Sequence, residues 1–165
     1  MAELISFNDG WLFEGREMVR LPHNALELPF AYFDETSYQR AFTYEKRFEA
    51  DKAWDSKEVS LCFEGAMANS VVRLNGEEIN RHADGYTPFE ARLTGKLKAG
   101  ENVVTVQIDG SENHEIPPFG GQIDYLTYAG IYRDVWLKFS NPISIANVKV
   151  ETPDRSEERR VGKEC

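Results

Sequence analysis

The chain has 165 residues, the size of one ordinary domain, and 41% of them are hydrophobic, so it can bury a core. Its 19 basic and 28 acidic residues give a formal charge of −9. This balance excludes nucleic acids and anionic membranes as general partners, because both require dense Lys and Arg. No segment approaches 18 consecutive apolar residues, so no membrane-spanning helix is predicted. The first residues lack the basic cluster and apolar run of a signal peptide, so a cytoplasmic location is the default expectation.

Strand patterns dominate the chain. In chain order they occupy residues 44–50, 59–63, 70–74, 89–93, 104–108, 135–139 and 143–150. At 59–63, 104–108 and 135–139 apolar residues alternate with polar ones, a period of two that is typical of half-buried strands. Asn75-Gly76 lies between two strand patterns and predicts a two-residue hairpin turn. Residues 98–102 predict a turn before the strand at 104–108.

No apolar pattern keeps the helical period of 3.6 residues over three turns, so long helices are not expected. Many short strands separated by turns, without intervening helices, predict an all-β fold in the form of an antiparallel sandwich. We expect inward rows such as Val135, Leu137 and Phe139 to stabilise it, each side chain contributing roughly 1.5–3 kcal/mol when fully buried.

One segment, residues 109–133, interrupts the strand pattern and is called the arm below. It exceeds the roughly 12–15 residues beyond which loops in compact domains are usually functional or disordered. The arm is rich in aromatic and aliphatic residues, Pro117-Pro118 stiffens it, and Gly120-Gly121 permits sharp turns. We therefore expect an ordered arm that presents a binding surface.

Asp124, Tyr125 and Tyr128 give the arm the chemistry of a sugar site. Aromatic rings pack on the C–H faces of sugars while carboxylates accept hydrogen bonds from hydroxyls, and such a pocket needs few polar groups. These three residues are the candidates for substrate binding. The alternative is that Asp124 is an ordinary surface or turn residue and that both tyrosines only pack.

No catalytic or metal-ligating set is evident, and no cofactor is predicted for this chain. His23, His82 and His114 are widely spaced, and no pair has metal-ligand spacing. Cys62 lies in a strand pattern, where we expect a small core residue rather than a nucleophile. With 28 acidic residues, carboxylate pairs occur by chance, so none is assigned to acid–base catalysis.

Residues 155–165 read RSEERRVGKEC and show neither strand nor turn pattern. This undecapeptide resembles the in-frame translation of a common DNA sequencing-library adapter. We expect it to be read-through, which leaves residues 1–154 as one domain and implies that the natural protein is longer. The alternative is a natural charged tail.

Three motifs carry a resemblance to a known family. They are Leu74-Asn75-Gly76, His82-Ala83-Asp84-Gly85-Tyr86-Thr87-Pro88-Phe89 and Gly130-Ile131-Tyr132-Arg133-Asp134-Val135, with Leu21-Pro22-His23-Asn24 and Tyr44 to Phe48 fitting the same pattern. Over residues 10–153 the chain resembles the N-terminal sugar-binding domain of glycoside hydrolase family 2, which includes β-galactosidases, β-glucuronidases and β-mannosidases. The resemblance implies a jelly-roll β-sandwich of the galactose-binding-domain type.

The resemblance also implies how this domain works in a larger enzyme. Family members continue with an immunoglobulin-like sandwich and a (β/α)₈ barrel that carries two catalytic glutamates, so no residue here is assigned a catalytic role. In β-galactosidases of the family, an aspartate ten positions before the Asp of Gly-Ile-x-Arg-Asp-Val helps to bind the sugar and a sodium ion. Asp124 holds that position relative to Asp134. Arg133 and Asp134 are expected to be structural, with Arg133 tying loops through charge-assisted bonds.

The sequence therefore predicts the non-catalytic sugar-binding domain of a family 2 glycosidase, with β-galactosidase ahead of β-glucuronidase. The arm is expected to line one wall of the substrate pocket in the intact enzyme. The expected partners are carbohydrate and the missing immunoglobulin-like and barrel domains, and family members are often oligomers. The alternatives are an autonomous carbohydrate-binding module or lectin-like domain, and a purely structural interaction domain.

Overall fold

The computed structural model describes residues 2–26, 39–111, 113–116, 129–145 and 148–150. In these ranges the regular elements are ten strands and one short 3₁₀ helix, Lys52–Ser56. The strands are β1 Glu3–Ser6, β2 Trp11–Phe13, β3 Glu17–Val19, β4 Ala41–Ala50, β5 Glu58–Phe63, β6 Asn69–Leu74, β7 Glu77–Ala83, β8 Phe89–Arg92, β9 Gly100–Asp109 and β10 Val135–Ser140. None of the described helical residues form a segment long and apolar enough to cross a bilayer.

The strands form two antiparallel sheets that pack face to face. One sheet has the order β1-β10-β5-β8 and the other has the order β3-β2-β4-β9-β6-β7. The longest pair is β4 with β9, in which Ala41 lies opposite Asp109 at one end and Ala50 lies opposite Gly100 at the other. At about 3.3 Å per residue this pair spans roughly 30 Å. The predicted all-β jelly-roll sandwich is confirmed.

The alternating patterns place their apolar residues between the two sheets, as predicted. In β5, Val59, Leu61 and Phe63 are at most 1% exposed, and in β9, Val104, Val106 and Ile108 are fully buried. Val135, Leu137 and Phe139 of β10 complete the first sheet's inner face. A period of two puts every second side chain on one face, so a strand with one apolar row has one stable orientation.

The predicted hairpin at Asn75-Gly76 is confirmed. Leu74 pairs with Glu77, and the two turn residues have φ angles of +51° and +88°, which the right-handed twist of the flanking strands favours. The Asn75 side chain also accepts a hydrogen bond from Val103 N and donates one to the buried Asn102. The hairpin is thereby joined to the start of β9.

Two expectations are wrong. The described residues between 143 and 150 form no strand, and Ile143 and Val150 are 94% and 77% exposed. Alternation becomes a strand only where a neighbour pairs with it, and the described residues of this segment pair with none of the edge strands β1, β3, β7 and β8. Cys62 is half-buried on the outer face of β5 rather than in the core, and burial raises the pKa of its thiol to about 12. The protonated thiol agrees with the expectation that Cys62 is not a nucleophile.

Candidate functional site

The arm leaves the sandwich and returns to it at the same place. Asp109, the last residue of β9, pairs with Asn69, and its carbonyl oxygen accepts a hydrogen bond from Ala68 N at 3.4 Å. Gly130, at the return, forms an antiparallel bridge with Met67 through hydrogen bonds of 3.0 and 3.3 Å. Two adjacent residues, Met67 and Ala68, therefore hold both ends of the arm against the sheet.

The returning end of the arm is also bound to a segment near the start of the chain. Ala25 N donates to the carbonyl of Ala129 at 2.7 Å, and His23 N donates to the carbonyl of Ile131 at 2.8 Å. The side chain of Asn24 accepts a hydrogen bond from Ala129 N at 3.0 Å. These contacts explain why residues 21–24 belong to the same motif set as residues 130–135.

Gly130 lies at the centre of this junction, where no side chain fits. Its φ angle is +101°, and a methyl group on its Cα would lie 2.2 Å from the Tyr44 hydroxyl oxygen. Tyr44 is fully buried, and its hydroxyl lies 2.9 Å from His23 Nδ1. Burial raises the pKa of Tyr44 far above its usual value, so the hydroxyl stays protonated at neutral pH.

The motif at residues 82–89 forms a closed turn beside this junction. The Asp84 carboxylate accepts hydrogen bonds from Tyr86 N at 2.7 Å and from Thr87 N at 3.4 Å. His82 lies 3.0 Å from the Thr87 hydroxyl and stacks on Phe89 with ring centres 4.4 Å apart. The hydrogen bond from Tyr86 N lowers the pKa of Asp84, because it stabilises the carboxylate.

The turn and the returning end of the arm meet at Gly85. The Tyr132 hydroxyl donates to the Gly85 carbonyl at 2.5 Å, and a methyl group on Gly85 would overlap the Met67 sulfur at 2.2 Å. The motifs at 82–89 and 130–135, which are distant in sequence, thus form one corner of the sandwich with Met67 between them.

Arg133 and Asp134, which we expected to be structural, lie at this corner. Asp134 accepts a hydrogen bond from the Asn8 side chain at 2.8 Å, and the same side chain accepts one from Val135 N. Arg133 is exposed, and its guanidinium carbon lies 5.5 Å from the centre of the Tyr132 ring. Within the described ranges no ion pair of Arg133 is found, and the structural roles of both residues stay predictions.

Asp124, Tyr125 and Tyr128, the predicted sugar-binding residues, lie outside the described residues, so their role stays a prediction. Sequence reasoning missed Met67, which carries no motif of its own. It placed His23 and Tyr44 in segments that fit the family pattern, but it did not predict their contact with each other or with Gly130. Among the described residues no three His, Cys, Asp or Glu side chains converge as a metal site.

Comparison with known proteins agrees with this geometry. The family model for the sugar binding domain of glycosyl hydrolases family 2 matches residues 17–142. The fold and its corner thus define a class, the sugar-binding β-sandwich of glycosidases. The chain belongs to glycosyl hydrolase family 2.

The relatives and solved structures that this chain matches are several times longer than the chain itself. A β-galactosidase from Rhizobium meliloti is 46% identical over 100% of this chain and 23% of its own length, and one from Thermoanaerobacterium thermosulfurigenes is 42% identical over 92% and 24%. A solved β-glucuronidase from Bacteroides uniformis is 25% identical, with a TM-score of 0.73 over 84% of this chain and 18% of that one. A β-glycosidase structure from Bacteroides vulgatus is 28% identical, with a TM-score of 0.70 over 85% of this chain and 20% of that one. The chain spans about a quarter of the length of the curated relatives it matches.

Gly130→Ala is expected to destabilise the domain by at least about 3 kcal/mol, because it combines a left-handed φ angle with overlap of the Tyr44 hydroxyl. Urea unfolding followed by tryptophan fluorescence measures the loss. Gly95→Ala is the matched control, since Gly95 also has a positive φ of +75° but open space around it. A loss of about 1 kcal/mol is expected there, and equal losses in both variants would contradict the role of Gly130.

Asp84→Asn is expected to make stability less dependent on acid pH. The pKa of Asp84 is lowered in the folded state, so its ionisation stabilises the fold above the unfolded value of about 3.9. This contribution is lost as the pH falls through the lower pKa of the folded state. The amide of the variant does not titrate, so its stability lacks this dependence on pH. Unfolding midpoints between pH 6 and pH 2.5 measure the slope. Asp55→Asn, at an exposed carboxylate, is the control, and an unchanged slope in Asp84→Asn overturns the prediction.

Proposed function

We propose that this chain is the sugar-binding domain of a β-galactosidase, in which the arm lines one wall of the substrate pocket. The supporting observation is that both ends of the arm are held on adjacent residues, Met67 and Ala68. A long loop closed at a rigid base loses less entropy when it meets a ligand than a free loop does. Two relatives that are named β-galactosidases, 46% and 42% identical, support the choice of sugar.

Within the arm, Asp124 accepts hydrogen bonds from sugar hydroxyls, and Tyr125 and Tyr128 supply aromatic surface for its C–H faces. A bound sodium ion, which the family resemblance implies, adds positive charge beside Asp124. The proposed role of Asp124 does not depend on that ion.

Bond cleavage belongs, in this proposal, to further domains of the intact enzyme, because no residue of this chain has a catalytic assignment. The purified chain is therefore expected to release no nitrophenol from 4-nitrophenyl β-galactoside or β-glucuronide above the blank. Absorbance at 405 nm measures release. Turnover that co-purifies with the chain through two chromatographic steps would refute the non-catalytic role.

Transplanting the domain tests the role of Asp124. In a chimera, residues 2–154 replace the matching segment of the Rhizobium meliloti β-galactosidase. Asp124→Ala in the chimera is expected to lower kcat/KM for the galactoside at least about 100-fold, since a lost transition-state contact of about 2.7 kcal/mol has that effect.

Glu115→Ala is the matched control for this variant, because Glu115 carries the same charge on an exposed position of the same arm. It is expected to leave kcat/KM within about twofold of the unmodified chimera. Equal activity of the Asp124→Ala chimera would show that the domain only supports the fold. A chimera that prefers the glucuronide would favour a β-glucuronidase origin, which the Bacteroides uniformis likeness makes the second candidate.

A further inference from the structure

A cavity of about 170 Å³ lies at the end of the sandwich opposite the arm. It is formed by the end of β4, by the 3₁₀ helix that follows and by the loop that precedes β9. Its lining includes Asp51, Lys52, Trp54, Asp55 and Lys98. Ala50, which also lines it, pairs with Gly100, whereas the arm begins at Asp109 opposite Ala41. The cavity is therefore roughly 30 Å from the base of the arm.

Trp54 forms an aromatic surface in this cavity, and the core holds its ring in place. The ring stacks on Phe48 at 6.3 Å with an angle of 22°, and it meets the edge of Phe139 at 5.0 Å. Trp54 is only partly buried, so part of the indole remains open to the cavity. A ligand that packs on this ring meets a surface whose rotamer is already ordered.

The indole N–H of Trp54 lacks the partner that the other two tryptophans have. Trp11 Nε1 donates to the Phe7 carbonyl at 2.8 Å, and Trp136 Nε1 donates to the Glu64 carboxylate at 2.8 Å. Trp54 Nε1 has no acceptor in the described part of the chain. This N–H is not among the buried unpaired atoms of the described residues, so it is open to solvent and can donate to a ligand that accepts a hydrogen bond.

The charges around the cavity indicate a neutral ligand. The lining includes two carboxylate residues, Asp51 and Asp55, and two lysines, Lys52 and Lys98, so it carries no net formal charge. The Asp51 carboxylate accepts a hydrogen bond from Ala53 N at 2.8 Å, which leaves Asp55 as the carboxylate without a partner among the described residues. A phosphate, a metal ion or an acidic sugar would require an excess of one sign. Carboxylates and ammonium groups together can instead accept from and donate to neighbouring hydroxyls.

The size of the cavity indicates one six-membered ring. A protein cavity of about 150 Å³ accepts a benzene molecule, and the cavity here is of similar volume. A pyranose ring has C–H faces that pack on an indole and hydroxyls that reach the surrounding charged groups.

We propose that this cavity is a second carbohydrate-binding site, which takes one neutral hexopyranose unit on the Trp54 ring. The site is separate from the arm, so it adds to the proposed function instead of depending on it. It gives the domain a way to hold a glycan on its own, at a distance from the wall that the arm supplies.

The test uses the ¹⁵N-labelled 165-residue chain and its three indole N–H resonances, assigned by single Trp→Phe substitutions. Methyl β-galactoside, methyl β-glucoside and glucuronate are titrated to 50 mM. The neutral glycosides are expected to shift the Trp54 resonance with a Kd of about 1–10 mM, while those of Trp11 and Trp136 stay in place. Glucuronate is expected to bind at least tenfold more weakly.

Two variants locate the binding. Asp55→Ala, at an exposed position that leaves the core untouched, is expected to weaken the affinity at least fivefold. Trp54→Ala, followed through the backbone amide resonances that the glycosides shift in the unmodified chain, is expected to abolish binding with the backbone spectrum otherwise retained. Asp124→Ala, at the arm, is expected to leave the affinity unchanged. The proposal is overturned if no glycoside shifts the Trp54 resonance, if Asp55→Ala binds as well as the unmodified chain, or if binding depends on Asp124 instead. The last result would favour the arm as the binding surface and leave the proposed function standing.

Discussion

The bridge between Met67 and Gly130 is the constraint on which the architecture of this domain depends. It joins the turn after β5 to the segment that leads into β10, and these two strands pair in the middle of the four-stranded sheet. The bridge forms only because residue 130 has no side chain, which lets the backbone pass the Tyr44 hydroxyl. Met67 also fills the space beside Gly85, so the same residue brings the turn at 82–89 to the corner.

This corner explains the placement of the motifs at residues 82–89 and 130–135, whereas the motif at residues 74–76 forms the hairpin joined to the start of β9. The polar atoms of His82, Asp84 and Tyr132 form hydrogen bonds within the corner, so the geometry gives these side chains a structural role. The motifs at residues 82–89 and 130–135 close the base of the arm. The proposed sugar-binding residues then lie on the arm itself, which is consistent with binding groups on loops that a rigid scaffold positions.

The two ends of the sandwich have different chemistry. At the arm end His82, Asp84 and Tyr132 form hydrogen bonds within the corner, and Ser70, opposite Ile108, is buried with an unpaired hydroxyl. At the far end the partly exposed Trp54 ring lines a cavity whose formal charges balance. The long β4–β9 pair separates the two ends, because its ten residues have no break in register. The proposed wall of the substrate pocket and the proposed second sugar site therefore lie at opposite ends of the domain.

The sequence by itself determined the fold class, the inward rows and the hairpin at Asn75-Gly76, since strand periodicity and positive φ angles are local properties of the chain. Three strands, β1, β2 and β3, carry too few residues for a period to be visible, and they are stabilised by neighbours that only the fold supplies. The segment 143–150 alternates like a strand, yet its described residues pair with no sheet edge. The tertiary structure alone decided that Gly130 meets Tyr44, that Met67 lies between two distant motifs, and that Trp54 borders a cavity. Each of these depends on contacts between residues far apart in the chain, and such contacts leave no local pattern to be read.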